Sequence, residues 1–396
     1  MCHFSFDTIL RDWWEGTEIQ LSLVNRQGNN LLAIAAAAGS KPICKSLVER
    51  GLGVDLQLPD SWYGSALAVA ASMGQLETIK LLVQEAGADV NLKLENGYYG
   101  SALAVAASMG QLVTIKFLVQ EAGADVNLKL RNGYYGSALT AATWNGDIEI
   151  VKFLVQEAGA DDNMQLKSGN YGSALAAAAS LRQLEHVKFL VQEGGADVNR
   201  LLQCGEYGSA LTAAARWADL EHVKFLVQEA GADANLQLKC GNYGSALAAA
   251  AQDVDINIVK FLIEEAGADV NMQLKCGHYG SVLAPAAAMG NLEAVRYLIE
   301  AKADVNQCLP NGKYGSALAA ASALGRKDCA ELLIEAGAEV NLRLEGGPFK
   351  SALQAAQATV SKEDLTWLGM EEEGEEALRQ HKVEVAELLQ YHGATI

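Results

Sequence analysis

Along most of the chain, apolar and polar positions recur in one fixed order. Ser65-Ala66-Leu67-Ala68-Val69-Ala70-Ala71 is small and apolar almost throughout, which predicts a short helix buried on most sides. Ser65 is placed to cap it by accepting a bond from an orphan backbone N–H. Gly74 breaks the chain. Leu76, Ile79, Leu82 and Val83 then fall on one stripe at helical spacing and predict a second helix. Gly87 ends that helix, because glycine takes a positive φ at little cost. An extended stretch with Leu92 and Leu94 follows, and Asn96-Gly97 is the turn pair of a two-residue β-hairpin.

This pattern returns wherever Tyr-Gly-Ser appears: at Tyr63, Tyr99, Tyr135, Tyr171, Tyr207, Tyr243, Tyr279 and Tyr314, and as Phe349-Lys350-Ser351. A degenerate copy starts near Asn30. The spacing is about 36 residues, then about 35 in the last units, a period that signals stacked supersecondary units. About ten units are expected. The alanine-rich first helices let neighbours approach closely, and the larger aliphatic residues of the second helices fill the next layer. No unit buries enough alone, so the stack is what folds. A tyrosine present in nearly every unit is read as structural.

These residues resemble the ankyrin repeat, whose usual form reads T-P-L-H-x-A-A, a glycine, V-x-x-L-L and G-A-D-V-N. Ser-Ala-Leu replaces Thr-Pro-Leu here, while Gly-Ala-Asp-Val-Asn stands intact at Gly87–Asn91, Gly123–Asn127, Gly195–Asn199 and Gly267–Asn271. The resemblance covers residues 28–396 and implies an all-α ankyrin-repeat solenoid of helix-turn-helix units with β-hairpin fingers. The usual unit has about 33 residues. One extra residue is assigned to the end of the second helix, where Gln84-Glu85-Ala86-Gly87 is longer than Glu300-Ala301-Lys302, and about two more to the hairpin. The Tyr-Gly-Ser-Ala-Leu variant is similar to fungal-type arrays, which often follow nucleotide-binding signalling modules. That likeness implies a second role, as the sensor tail of such a module.

The ends differ from the array at 28–348. Residues 1–27 carry Phe6, Ile9, Leu10, Trp13 and Trp14 at helical spacing, read as an N-terminal capping segment or a docking helix. Residues 349–396 read as a C-terminal capping repeat with an acidic insertion, Glu371 to Glu376, and a second helix starting near Val383. Acidic runs are usually solvated; capture of a basic segment is the alternative.

Charge narrows the partners. The 396 residues carry a formal net charge of -18, which repels phosphate backbones and anionic lipid headgroups. A protein partner with a basic or neutral surface is expected, with no nucleic acid, no membrane and no cofactor. Half the residues are hydrophobic, so a large core is available. No secretory signal and no membrane-length apolar run is evident, which points to an intracellular chain, cytoplasmic or nuclear. Seven cysteines, with Cys204, Cys240 and Cys276 at equivalent places, read as free thiols in a reducing compartment.

Candidate binding residues sit where the units diverge. The family pattern implies that two positions before the mid-unit glycine face the concave side together with the hairpin tips. They include Met73, Met109, Trp144 and Asn145, Leu181, Arg216 and Trp217, Gln252 and Asp253, Ala288 and Met289, and Ala323 and Leu324. Stacking constrains every unit alike, so variation marks freedom from stacking. Trp144, Arg216 and Trp217 are hot-spot residue types; packing over the small alanines is the alternative. Tyr98 and Tyr134 at the tips are second candidates. Arg182, Ala218 and Val254 replace the mid-unit glycine and should alter the turn. No phosphate-binding loop, nucleophile elbow, H-E-x-x-H or C-x-x-C is present. His186 and His222 are expected at the surface. No enzyme is expected, and a small-molecule pocket on the central units is the alternative to a protein-binding scaffold.

Overall fold

The computed structural model describes residues 23–95, 97–252, 255–308, 312–344, 348–359 and 374–395. The amphipathic pattern at Phe6–Trp14, the candidate Asp253, Val254 and the acidic run at Glu371–Glu373 lie outside the described residues. The chain forms two compact units, Met1–Ala174 and Leu175–Ile396.

In the first unit, the helices Leu31–Ala37, Ala66–Ser72, Ala102–Ser108 and Ala138–Asn145 pack each on the next. Ser65, Ser101 and Ser137 cap the last three, each accepting from the backbone N–H three residues on. Ala68, Ala70, Ala71, Ala104, Ala106 and Ala107 have no exposed surface, so this layer has no room for a larger side chain. The second helices Leu76–Lys80, Leu112–Lys116 and Ile148–Lys152 run on into a wider turn. There the Ala86 N–H bonds Leu81 O at 2.9 Å, five residues back instead of four. The extra residue assigned from sequence is thus absorbed as a single π-helical turn, which leaves Ile79 and Leu82 in the core.

The second unit contains both cases. Phe225–Glu229 has the same wide turn. Leu292–Glu300, which lacks the extra residue, closes with Ala301 N–H on Tyr297 O at 2.8 Å, four back. The replaced mid-unit glycines take two routes. Arg182 keeps the left-handed turn, with φ 60°. Ala218 abandons it at φ -88°, ψ 178°; its helix runs to Trp217, and Asp219 caps the next one. The last helix spans Gly374–Tyr391, not from Val383 as expected. Glutamates are favourable in a first turn, and Leu378, Val385 and Leu389 are buried along one side of the helix.

The expected β-hairpins do not form as strands among the described residues. Several fingers keep one internal bond, such as Leu94 N–H to Gly100 O at 3.0 Å and Leu202 N–H to Gly208 O at 3.1 Å. The tips bond the neighbouring finger instead: Tyr98 N–H donates to Trp62 O, Tyr134 to Tyr98 and Asn170 to Tyr134, each at 2.8 Å. Glycines at positive φ, including Gly100 at 80° and Gly133 at 110°, turn these peptide groups toward the neighbour. A second zipper runs through the Gly-Ala-Asp-Val-Asn segments. Asn127 Nδ2 donates to Gly159 O at 2.9 Å, and its Oδ1 accepts from Asp161 N–H at 2.8 Å. Asn235, Asn271, Asn306 and Asn341 make the same pair of bonds in the second unit.

Candidate functional site

The tips of the first unit carry two rows of rings. The repeated tyrosines form the inner row, Tyr63 on Tyr99 at 5.6 Å and Tyr99 on Tyr135 at 5.9 Å between centroids. Tyr99, Tyr135 and Tyr171 are buried. Burial pushes the Tyr99 and Tyr135 phenols up; a hydrogen bond to Ser108 partly offsets this at Tyr99. Their role is to seal the stack. The outer row stands on them and meets solvent. Trp62 stacks on Tyr98 at 6.1 Å, and Tyr98 on Tyr134 at 5.1 Å. Tyr98 and Tyr134 meet the inner row edge-on at 5.9 and 5.2 Å. Trp62 remains 69% exposed and Tyr98 47%, so the row is both accessible and held in place.

The first-helix ends lie beside these rows. Met73 is exposed and shares a cleft of about 320 Å³ with Trp62, Tyr63 and Val69. Met109 is half-buried. Trp144 is 41% exposed, with its ring 5.4 Å from Tyr135. Asn145 donates its amide to Ser108 O of the preceding repeat at 3.1 Å. Gln75 does the same to Ala37 O at 3.2 Å, so this contact belongs to stacking. Met73 and Trp62 therefore share one cleft wall, and Trp144 is joined to the tips through Tyr135.

In the second unit, Arg216 lies with its guanidinium carbon 4.0 Å from the Trp217 ring centroid, a cation–π contact. It also hydrogen-bonds Tyr243, whose phenol burial raises and Arg216 pulls back. Arg182 Nε donates to Trp217 O. Trp217 is 40% exposed, while Leu181 and Gln252 are half-buried. Ala288, Ala323 and Leu324 are buried; these small or aliphatic side chains pack within the stack. His186 and His222 are buried as well, contrary to the surface expected. Each lies on the packed stripe of a second helix. His222 Nδ1 sits 2.7 Å from Asp219 Oδ1. Burial pushes the Asp219 carboxyl up, but the His222 bonds outweigh it and hold it below the usual carboxylate range.

Trp62 is the residue that sequence reasoning missed. The signal was available: it directly precedes Tyr63, as Tyr98 precedes Tyr99 and Tyr134 precedes Tyr135. The repeated cysteines are structural. Cys240 Sγ donates to Leu202 O at 3.0 Å, the bond Ser168 makes to Leu130 O at 3.0 Å, and Cys276 Sγ donates to Cys240 O at 3.1 Å. Burial raises the Cys276 thiol to about 11, so it is a poor nucleophile at neutral pH. Among the described residues no His, Cys, Asp or Glu group is arranged to hold a metal, and no helix is long and apolar enough to cross a membrane.

A family model described as ankyrin repeats in three copies matches residues 9–94, 32–130, 91–165, 139–238 and 246–343. No curated protein matches the sequence.

Proposed function

From the premise that this chain belongs to the ankyrin-repeat family, whose members are generally protein-interaction modules, we propose that it is an adaptor that captures a protein partner on the finger tips and first-helix ends of its first unit. One observation carries the reading. Trp62, Tyr98 and Tyr134 form a continuous solvent-facing row, preorganised by the ring row beneath it. Aromatic side chains with few rotatable bonds, already fixed before binding, give contact area at low entropic cost. Trp144 and Met73 extend the surface, and Arg216 with Trp217 is a second contact point on the second unit. The net charge of -18 favours a partner with a neutral or basic body.

The test is partner capture from source-cell lysate by the wild type, by Tyr98→Ala with Trp144→Ala, and by Trp217→Ala, with circular dichroism verifying the fold. Loss of a central aromatic anchor weakens binding by roughly 2 kcal/mol or more, about thirtyfold. A partner held equally by all three proteins would show that these surfaces do not bind it.

A further inference from the structure

We propose that the first-unit tips recognise a linear peptide segment in which apolar residues are followed by carboxylates, the apolar part lying on the Trp62–Tyr98–Tyr134 row and the carboxylates on Lys129, Arg131 and Lys167. This deepens the adaptor reading and rests on it.

The local charge argues for the carboxylates. The whole chain is strongly acidic, but the tips are not uniform. Asp60 stands beside Trp62; Lys93 and Glu95 balance one another before Tyr98; Lys129 and Arg131 precede Tyr134; and Lys167 precedes Asn170. The last three cations are exposed, and none is in an ion pair within the described residues. Adjacent fingers hold them together: Ser168 Oγ donates to Leu130 O at 3.0 Å, beside Arg131 and Lys167. Of the acidic residues on these fingers, Glu95 is joined to the group through its carbonyl, which accepts from Asn132 at 2.7 Å; Asp162 is buried; and two more, Asp125 and Asp161, stand at the finger bases. Both of the latter bond the amide two residues on within their own turns. Charges beyond about 8–10 Å are screened at physiological salt. A ligand at these tips therefore meets a cationic group, whatever the net charge of the molecule.

The backbone argues for side-chain recognition. The Tyr98, Tyr134 and Asn170 N–H groups and the Trp62, Tyr98 and Tyr134 C=O groups are already bonded finger to finger, so these groups are not open to strand addition along the row. Ring contact and charge are what remain. An aromatic row that ends in three cations has a direction, and the segment's acidic end is thereby placed at Tyr134 and not at Trp62.

The test uses a random peptide display library panned on the full chain, with parallel selections on Trp62→Ala/Tyr98→Ala and on Arg131→Glu/Lys167→Glu. Peptides that need the row should carry apolar residues next to Asp or Glu. Synthetic copies should weaken about three- to thirtyfold on the charge-reversed variant, and their binding to the wild type should weaken at high salt. Selection on that variant should switch to Lys and Arg. Row-dependent peptides without an acidic excess, or an acidic excess that survives charge reversal, overturn the inference while the adaptor reading stands. If no peptide depends on the row, the inference also fails, and the lysate capture with the Tyr98/Trp144 variant then decides the adaptor reading separately.

Discussion

Replacing Asn127 with alanine tests how neighbouring repeats are coupled. The side chain makes two bonds to the next repeat, 2.9 Å to Gly159 O and 2.8 Å from Asp161 N–H. A net hydrogen bond contributes about 0.5–1.5 kcal/mol. Both bonds are solvent-exposed, so water replaces part of the loss, and about 1–2 kcal/mol is expected for the pair. Asn127→Asp keeps the acceptor for Asp161 N–H, but it sets a carboxylate oxygen against Gly159 O and adds charge beside Asp125 and Asp161. It should cost at least as much at neutral pH and less in acid. A single unfolding transition is a poor readout for a repeat array, whose stability is a chain of nearest-neighbour couplings. Native-state hydrogen exchange is the better assay. Protection of the Asp161 amide should fall about 5- to 30-fold, while the Ala141 amide, bonded to Ser137 O within its own repeat at 3.1 Å, changes little. Unchanged Asp161 protection in Asn127→Ala would refute the coupling argument.

Two further predictions concern stability. Gly136 has φ +76°, and an added Cβ would lie 2.3 Å from the Ser168 carbonyl oxygen of the next finger. Gly136→Ala should therefore destabilise by roughly 2–4 kcal/mol, read as a lowered denaturant midpoint, and a midpoint equal to wild type would contradict the close approach. Asp219 has a depressed carboxyl pKa in the folded chain. Its contribution is present above the ordinary value of about 4 and lost as pH falls through the lower folded value. Asp219→Asn should flatten that acid limb in unfolding midpoints measured against pH; an acid limb identical to wild type would show that the His222 bond contributes nothing.

Much of the fold was legible because a stack imposes the same demands on each repeat. The serine caps, the all-alanine faces and the helix stripes are local and periodic, so Ser65 and Ala68 could be assigned without coordinates. The extra residue could be placed at Gln84–Gly87 by comparing repeats, but its absorption as an i→i−5 turn at Leu81–Ala86 depends on keeping Ile79 and Leu82 in register with the core. The fingers were misread for a similar reason. Asn-Gly pairs announce a turn, yet whether the peptide groups beside it bond within the finger or across to the next depends on how closely the fingers stack. Variation between repeats marked Trp144 and Trp217, which are partly exposed, and equally Leu324 and Ala323, which are buried. It overlooked Trp62, although that position is itself variable, with tyrosine, asparagine, glutamate, histidine or lysine in the other repeats. Sequence alone determined the repeat, the helix pairs and the small-residue packing, because these follow from periodicity and side-chain volume. The exposed aromatic row beside a cationic group in an acidic chain is a product of tertiary structure: only stacking brings residues about 36 positions apart in sequence to within ring contact.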